Sequence, residues 1–248
     1  MSPSDANAIR DGLADVRERI ARAASRAGRD PSTVRLVAVS KTFSADDVRT
    51  AAQAGQVDFG ENKVQEALQK MDALDATGAP AGLRWHLIGH LQSNKARKAA
   101  ARFDAVHSID SVDVLRRLND GARDAGRQLD ILVQVDLAGE ATKHGAQEAD
   151  IAAIFAAAAD ASHVRPVGLM LLPPAVDDPN DARPYFRALQ DVRSRLVARG
   201  VDPRMLTELS MGMSHDFEVA VEEGATIVRV GTAIFGVRSR SLKSSAHV

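Results

Sequence analysis

The sequence predicts an α/β chain whose strand-helix units close into a (β/α)8 barrel of the TIM type. Three observations carry that expectation. Short β-branched runs alternate about eight times with longer amphipathic or alanine-rich stretches, the pattern that parallel strands with helical crossovers require. Most connections are as short as those of β-α units. The 248 residues fit one closed barrel without insertions, and an apolar share of 45% with only 4% aromatic demands a core of Ala, Val, Leu and Ile. The alternative is an open doubly wound sheet, but no G-x-G-x-x-G follows the first strand and no compositional break marks a second domain. One domain is expected over residues 1–238, with a disordered tail over 239–248.

Taken in order, Ser4 or Asp5 opens a long extra helix with Ile9, Leu13, Val16 and Ile20 on one side, and Gly28 ends it. Strand one spans 34–40. Ser44 to Asp47 reads as a capping box opening the helix that Gly55 closes. A second strand at 57–60 leads into a helix reaching about Leu74, and the Gly78 to Gly82 cluster is a turn. Strand three covers 85–88, after which Ser93 is expected to cap a basic helix. Strand four is 105–108, followed by a helix capped by Asp110 or Ser111 and carrying Val114, Leu115 and Leu118. Strand five is 131–135, then a polar loop over 139–145 and an alanine-rich helix from about Gln147. Strand six, 164–172, precedes the long loop at Pro173 to Pro179 and an amphipathic helix burying Phe186, Leu189, Val192 and Leu196. Strand seven is 206–210, with Ser214 expected to cap the next helix, and strand eight is 226–230.

Composition removes several function classes. Lys plus Arg number 32 against 33 for Asp plus Glu, so no overall field draws the chain to nucleic acid or anionic membrane. The run Asn94 to Lys98 is basic but has no interleaved aromatic residues, which argues against an RNA-binding barrel. Without cysteine there is no disulfide, thiolate metal site or cysteine nucleophile. The N-terminus has no basic start followed by an apolar run, and no segment approaches the length of a membrane span; a soluble cytoplasmic protein is expected. His86 and His90 share a strand-period face, yet no third ligand is evident, so no metal site is expected.

In such a barrel, ligands sit at the C-terminal strand ends. Lys41 follows Val37 and Val39 by alternation and is expected on the apolar side, where drier surroundings favour the free amine that attacks an aldehyde. Gly231 allows close approach, so the Gly231 and Thr232 amides, the Thr232 hydroxyl, and the Ser210 and Ser214 hydroxyls suit a phosphate. Arg229 shares the face of Ile227. A guanidinium there needs a partner, either a carboxylate such as Glu208 or an acceptor atom of a ligand.

An amine, a phosphate grip and an arginine meet in one cofactor, pyridoxal 5′-phosphate (PLP). The motifs Val-Ala-Val-Ser-Lys-Thr at 37–42, Phe-Gly-Glu-Asn at 59–62, Trp-His-Leu-Ile-Gly-His-Leu-Gln-Ser-Asn-Lys at 85–95, Gly-Leu-Met at 168–170, Leu-Ser-Met-Gly-Met-Ser at 209–214 and Val-Arg-Val-Gly-Thr-Ala-Ile-Phe-Gly at 228–236 span nearly the whole chain. With them the chain resembles the YggS/PROSC family of PLP homeostasis proteins, whose barrel is that of the alanine racemases, fold type III. The resemblance implies Lys41 as the Schiff-base lysine, Ser210, Ser214, Gly231 and Thr232 around the phosphate, Arg229 at the ring nitrogen, and Asn62 and Met170 in the pocket wall. It departs at His215, where many relatives carry an acidic residue, and at Leu171-Leu172.

The resemblance also implies intracellular buffering and delivery of PLP with little or no turnover, and no catalytic residue is assigned. Racemisation needs a second base, supplied in alanine racemases as a tyrosine by a C-terminal β domain. That domain is expected to be missing here, and the one tyrosine, Tyr185, is expected to pack within a helix. An arginine at the ring nitrogen also weakens the ring as an electron sink. A PLP-dependent racemase is the rival reading. Expected partners are the cofactor and apo PLP enzymes that accept it, with the chain a monomer; Lys143, in the loop after strand five, is expected to be a solvated charge rather than a release group.

Overall fold

The computed structural model describes residues 3–78, 80–137 and 144–236, so Lys143 and the tail expected over 239–248 lie outside the described residues. Eight strands, β1 (Arg35–Val39), β2 (Asp58–Glu61), β3 (Arg84–Leu87), β4 (Ala105–Ile109), β5 (Leu129–Val135), β6 (Val164–Leu171), β7 (Glu208–Ser210) and β8 (Ile227–Val230), lie in sequence order in a closed barrel. Each is parallel to the next, and β8 pairs with β1 in the register Arg35 with Ile227 through Ala38 with Val230. That closing pair overturns the open-sheet alternative. The helices α2 (Ala45–Gln53), α3 (Val64–Ala76), α4 (Ala96–Arg102), α5 (Val112–Asp124), α6 (Glu148–Ala159), α7 (Arg183–Ala198) and α8 (Phe217–Glu222) follow the first seven strands, and the short α9 (Thr232–Phe235) follows β8.

Strand alternation divides the core into two layers. Leu36, Phe59, Leu87, Ile131, Leu169 and Val228 point outward into the main cluster against the helices. Inside the barrel, Val37, Leu132, Met170 and Ile227 form a much smaller apolar cluster. Below it, a ring of charges fills the N-terminal mouth: Arg35 pairs with Glu208 at 3.6 Å, Arg84 with Asp58 and Asp130 at 3.8 Å each, and Arg165 with Asp130 at 2.7 Å.

The extra helix α1 (Pro3–Arg26) buries Ile9, Leu13, Val16 and Ile20 and packs against α9, α8 and α2. It covers the flank that a four-residue α9 cannot. The approach depends on Gly12, where a Cβ would stand 2.8 Å from the Ile234 carbonyl oxygen.

Local capping follows the sequence in part. Both halves of the Ser44–Asp47 capping box form, and Ser111 caps α5 by accepting from Val114 N. Ser93 differs from expectation: it starts a 3-10 turn, its hydroxyl donates to Asp113 Oδ2 at 3.3 Å, and the helix starts later, at Ala96. Ser214 also differs. Helix α8 begins after Asp216, whose carboxylate accepts from Met213 N at 2.6 Å, while Ser214 Oγ turns to Gly231 N.

One polar anchor lies between sheet and helices. Glu61, fully buried, accepts from Ser40 Oγ at 2.7 Å and pairs with Lys70, whose ammonium also donates to the Ser40 carbonyl oxygen at 2.6 Å. It therefore clamps the last residue before Lys41 to β2 and α3. Glu61 Oε2 has no hydrogen-bond partner among the described residues, so the pair orders this corner at a cost in desolvation.

Two stability predictions follow from these contacts. Lys70→Met strands the Glu61 carboxylate and is expected to lower unfolding free energy by about 3–5 kcal/mol, whereas Glu61→Leu/Lys70→Met recovers most of that loss in urea denaturation. Gly168→Ala sets a Cβ 1.9 Å from the Glu208 carbonyl oxygen, which forces β6 and β7 apart. It is expected to cost roughly 2–4 kcal/mol and to appear as a lowered thermal midpoint.

Candidate functional site

At the C-terminal mouth of the barrel the strand ends and loops enclose a cavity of about 600 Å³. Its wall includes Lys41, Asn62, Ser214, Arg229, Gly231 and Thr232, six of the eight residues expected from the sequence. The other two, Met170 and Ser210, do not line it. Met170 belongs to the inner apolar cluster and Ser210 is fully buried, its hydroxyl engaged by Arg229.

Lys41 stands two residues past β1 and is exposed, so the drier surroundings expected for it are not found in this protein alone. Its turn is held from several sides. Ser40 N donates to the Gly60 carbonyl and Phe43 N to the Ser40 carbonyl, both at 3.0 Å. Thr42 adopts φ 69°, a left-handed conformation that a β-branched residue rarely takes. Phe43 then stacks on Phe235 of α9 with ring centroids 5.0 Å apart. That contact couples the lysine turn to the loop after β8.

The β8 loop supplies the opposite wall. A Cβ at Gly231 would lie 3.1 Å from the Val39 carbonyl oxygen, so glycine lets this backbone approach β1 closely. Gly231 N donates to Ser214 Oγ at 3.1 Å, joining the loops after β7 and β8 into one polar cradle with Thr232 beside it. His215, which departs from the family pattern, lines the same wall and meets the Asp177 carbonyl oxygen at 3.0 Å.

Arg229 forms the cavity floor. It is buried, donating from Nη1 to Ser210 Oγ at 2.6 Å and from Nη2 to the Leu171 carbonyl oxygen at 2.8 Å. The carboxylate considered from the sequence, Glu208, is engaged elsewhere, by Arg35 and the Thr226 hydroxyl. Burial lowers the Arg229 pKa to about 10, with Asp216 opposing the shift, so the guanidinium remains charged at neutral pH. It offers only N–H donors to whatever fills the cavity.

The rim holds residues that sequence reasoning missed or separated. Gln134 of β5 lines the cavity and donates to the His144 carbonyl oxygen. His90 stacks on His144 with centroids 3.7 Å apart and lies 3.4 Å from Asp110. These three bring ligand-capable atoms within 4.8 Å of one another, a grouping able to hold a divalent cation, whereas His86 sits inside the barrel on Asp58 and His107. The two histidines paired in the sequence thus do different work: His90 is beyond the end of β3 and His86 is within it. Inward parity at Asp58, His86 and Arg229 was the available signal for the interior contacts, but parity alone does not show which strands face each other.

Comparison with known proteins identifies relatives of the whole barrel. The model of the family described as "Alanine racemase, N-terminal domain" matches residues 12–239. The pyridoxal phosphate homeostasis protein of Escherichia coli K12 is 41% identical over 240 residues, covering 96% of this chain and 100% of the relative. The structure of PipY from Synechococcus elongatus PCC7942, solved with PLP bound, superposes with a TM-score of 0.80 at 38% identity, over 92% of this chain and 100% of PipY. Alanine racemase from Corynebacterium glutamicum shares the fold, with a TM-score of 0.70 at 18% identity over 97% of this chain and 64% of the racemase. The chain therefore belongs to the alanine racemase N-terminal domain family and, within it, to the pyridoxal phosphate homeostasis proteins.

Proposed function

We propose that this chain binds PLP reversibly through Lys41 and acts in PLP homeostasis, holding the cofactor and handing it to apo enzymes rather than turning over amino acids. The observation that carries the reading is the meeting, around one cavity, of the Lys41 amine, the Gly231–Thr232–Ser214 cradle and a buried guanidinium. These residues fit the group: Gly231, with no side chain, lines the cavity beside the Ser214 hydroxyl, and Arg229 offers donors to a ring nitrogen that can only accept. PipY, solved with PLP, and relatives named for PLP homeostasis support the same reading.

Each residue then has a definite task. Lys41 supplies the nucleophilic amine, and a ligand filling the cavity covers a side chain that is otherwise open to water. Gly231 N, Thr232 and Ser214 hold the phosphate, with the Ser214 hydroxyl free to exchange its bond to Gly231 N for a stronger charge-assisted one. Asn62 closes the wall beside Lys41, while Ser210 and Met170 act from below, Ser210 by fixing Arg229 and Met170 by packing the barrel interior. When bound, the cofactor supplies an aldehyde that reacts reversibly with amines.

The exposed position of Lys41 favours exchange over retention. Tyr185 packs against the outer core from α7 and does not contribute to the described cavity wall, which supports storage over racemisation. Within this reading the single barrel over 1–238 is the whole binding unit, monomeric and cytoplasmic, with no nucleic-acid partner. No described helix is long and apolar enough to cross a membrane.

Borohydride reduction of the PLP-loaded protein followed by peptide mass mapping is expected to label Lys41, and Lys41→Ala is expected to abolish both the label and the visible absorption band. Unlabelled Lys41 in protein soaked with excess PLP refutes the reading. L- to D-amino-acid conversion that depends on Lys41 would instead support the racemase.

A further inference from the structure

A line of polar side chains crosses the barrel interior beneath the cavity. Asp58 Oδ1 of β2 is 2.8 Å from His86 Nε2 of β3, His86 Nδ1 is 3.0 Å from His107 Nε2 of β4, and His107 Nδ1 is 2.9 Å from Ser210 Oγ of β7. Ser210 Oγ then accepts from Arg229 Nη1 of β8 at 2.6 Å. The step from His107 to Ser210 bridges opposite sides of the barrel, and all its members except Asp58 are buried.

With His86 neutral, the two ends set the direction of every hydrogen bond between them. An ionised Asp58 only accepts, so His86 donates to it from Nε2; a neutral His86 then accepts at Nδ1, which requires His107 to donate from Nε2. His107 consequently accepts at Nδ1, and the Ser210 hydroxyl donates to it. That leaves the Ser210 lone pairs for Arg229, which has nothing but donors. Each link donates in the same direction, from the guanidinium to the carboxylate.

Their surroundings favour these protonation states. Burial above all, with the guanidinium charges of Arg229 and Arg35, holds His107 well below the usual imidazole range. Burial opposes ionisation of Asp58, but the hydrogen bond from His86 and the charges of Arg84 and Arg35 oppose it in turn, and the carboxyl lies below its ordinary range. Stability does not require such a chain, since apolar side chains of similar volume would fill the space at no greater cost.

We propose that His107 and His86 are positioning residues for Arg229, relaying the hydrogen-bond direction set by Asp58 across the barrel through the Ser210 hydroxyl and fixing which guanidinium N–H groups face the cavity. The consequence for PLP rests on the function proposed above; the orientation of Arg229 does not.

Two readouts separate these levels. In the cofactor-free protein, long-range ¹H–¹⁵N NMR is expected to show both imidazoles protonated at Nε2 and bare at Nδ1, with Arg229 Nη signals that are resolved in the wild type and averaged by rotation in His107→Leu. A His107 protonated at Nδ1, or Arg229 signals unchanged in a folded His107→Leu protein, overturns the proposal. With PLP, His107→Leu and the more remote His86→Leu are expected to weaken binding roughly 5- to 10-fold and shift the pH profile of the absorption band, with His107→Gln restoring much of both because its amide can accept from Ser210 and donate to His86. Wild-type affinity and pH profile in both folded leucine variants also overturn it. Failure of the wild type to take up PLP refutes the cofactor reading, and the NMR comparison still decides the positioning role.

Discussion

A guanidinium inside a β-barrel must have acceptors, and much of this interior is arranged around that requirement. Arg229 takes the Leu171 carbonyl and the Ser210 hydroxyl, and Ser210 in turn engages His107. The inner apolar cluster consequently shrinks to four buried side chains, and the stability of the fold shifts to the layer between strands and helices. Large outward-facing residues such as Phe59, Leu87 and Leu169 are buried there, where area removed from water is greatest. The outer layer holds the fold, which leaves the interior free to be polar.

The cavity wall combines rigid and open parts. Its floor is on strands, where backbone pairing fixes Arg229. The Lys41 amine is on a turn, held by the Glu61–Lys70 clamp at Ser40, the left-handed Thr42 and the stack of Phe43 on Phe235. A strained turn persists only when its surroundings fix it from several sides. Lys41 is thus well located along the backbone while its side chain remains reachable from solvent, a combination suited to a ligand that must both enter and leave.

Where the sequence misled, the reasons are local. Alternation set Lys41 on the face of Val37 and Val39, but β1 ends at Val39 and Lys41 stands exposed on the turn beyond it. Ser93 and Ser214 looked like helix caps because hydroxyls before helices usually are; here Ser93 binds Asp113 and Ser214 binds Gly231 N across loops distant in sequence. Ser210, which its motif implied around a phosphate, is buried here and engages Arg229 and His107.

By itself the sequence determined the repeating strand-helix order, the barrel architecture, six of the cavity-wall residues and the family, because periodicity, turn glycines and strand-end motifs are local properties. Tertiary structure decided what those residues touch. The pairing of Asp58 with His86, of His107 with Ser210 and of Glu61 with Lys70 depends on closing the sheet and on the direction each side chain takes inside it. Short-range pattern specifies which face a residue occupies, whereas barrel closure specifies which residue stands opposite.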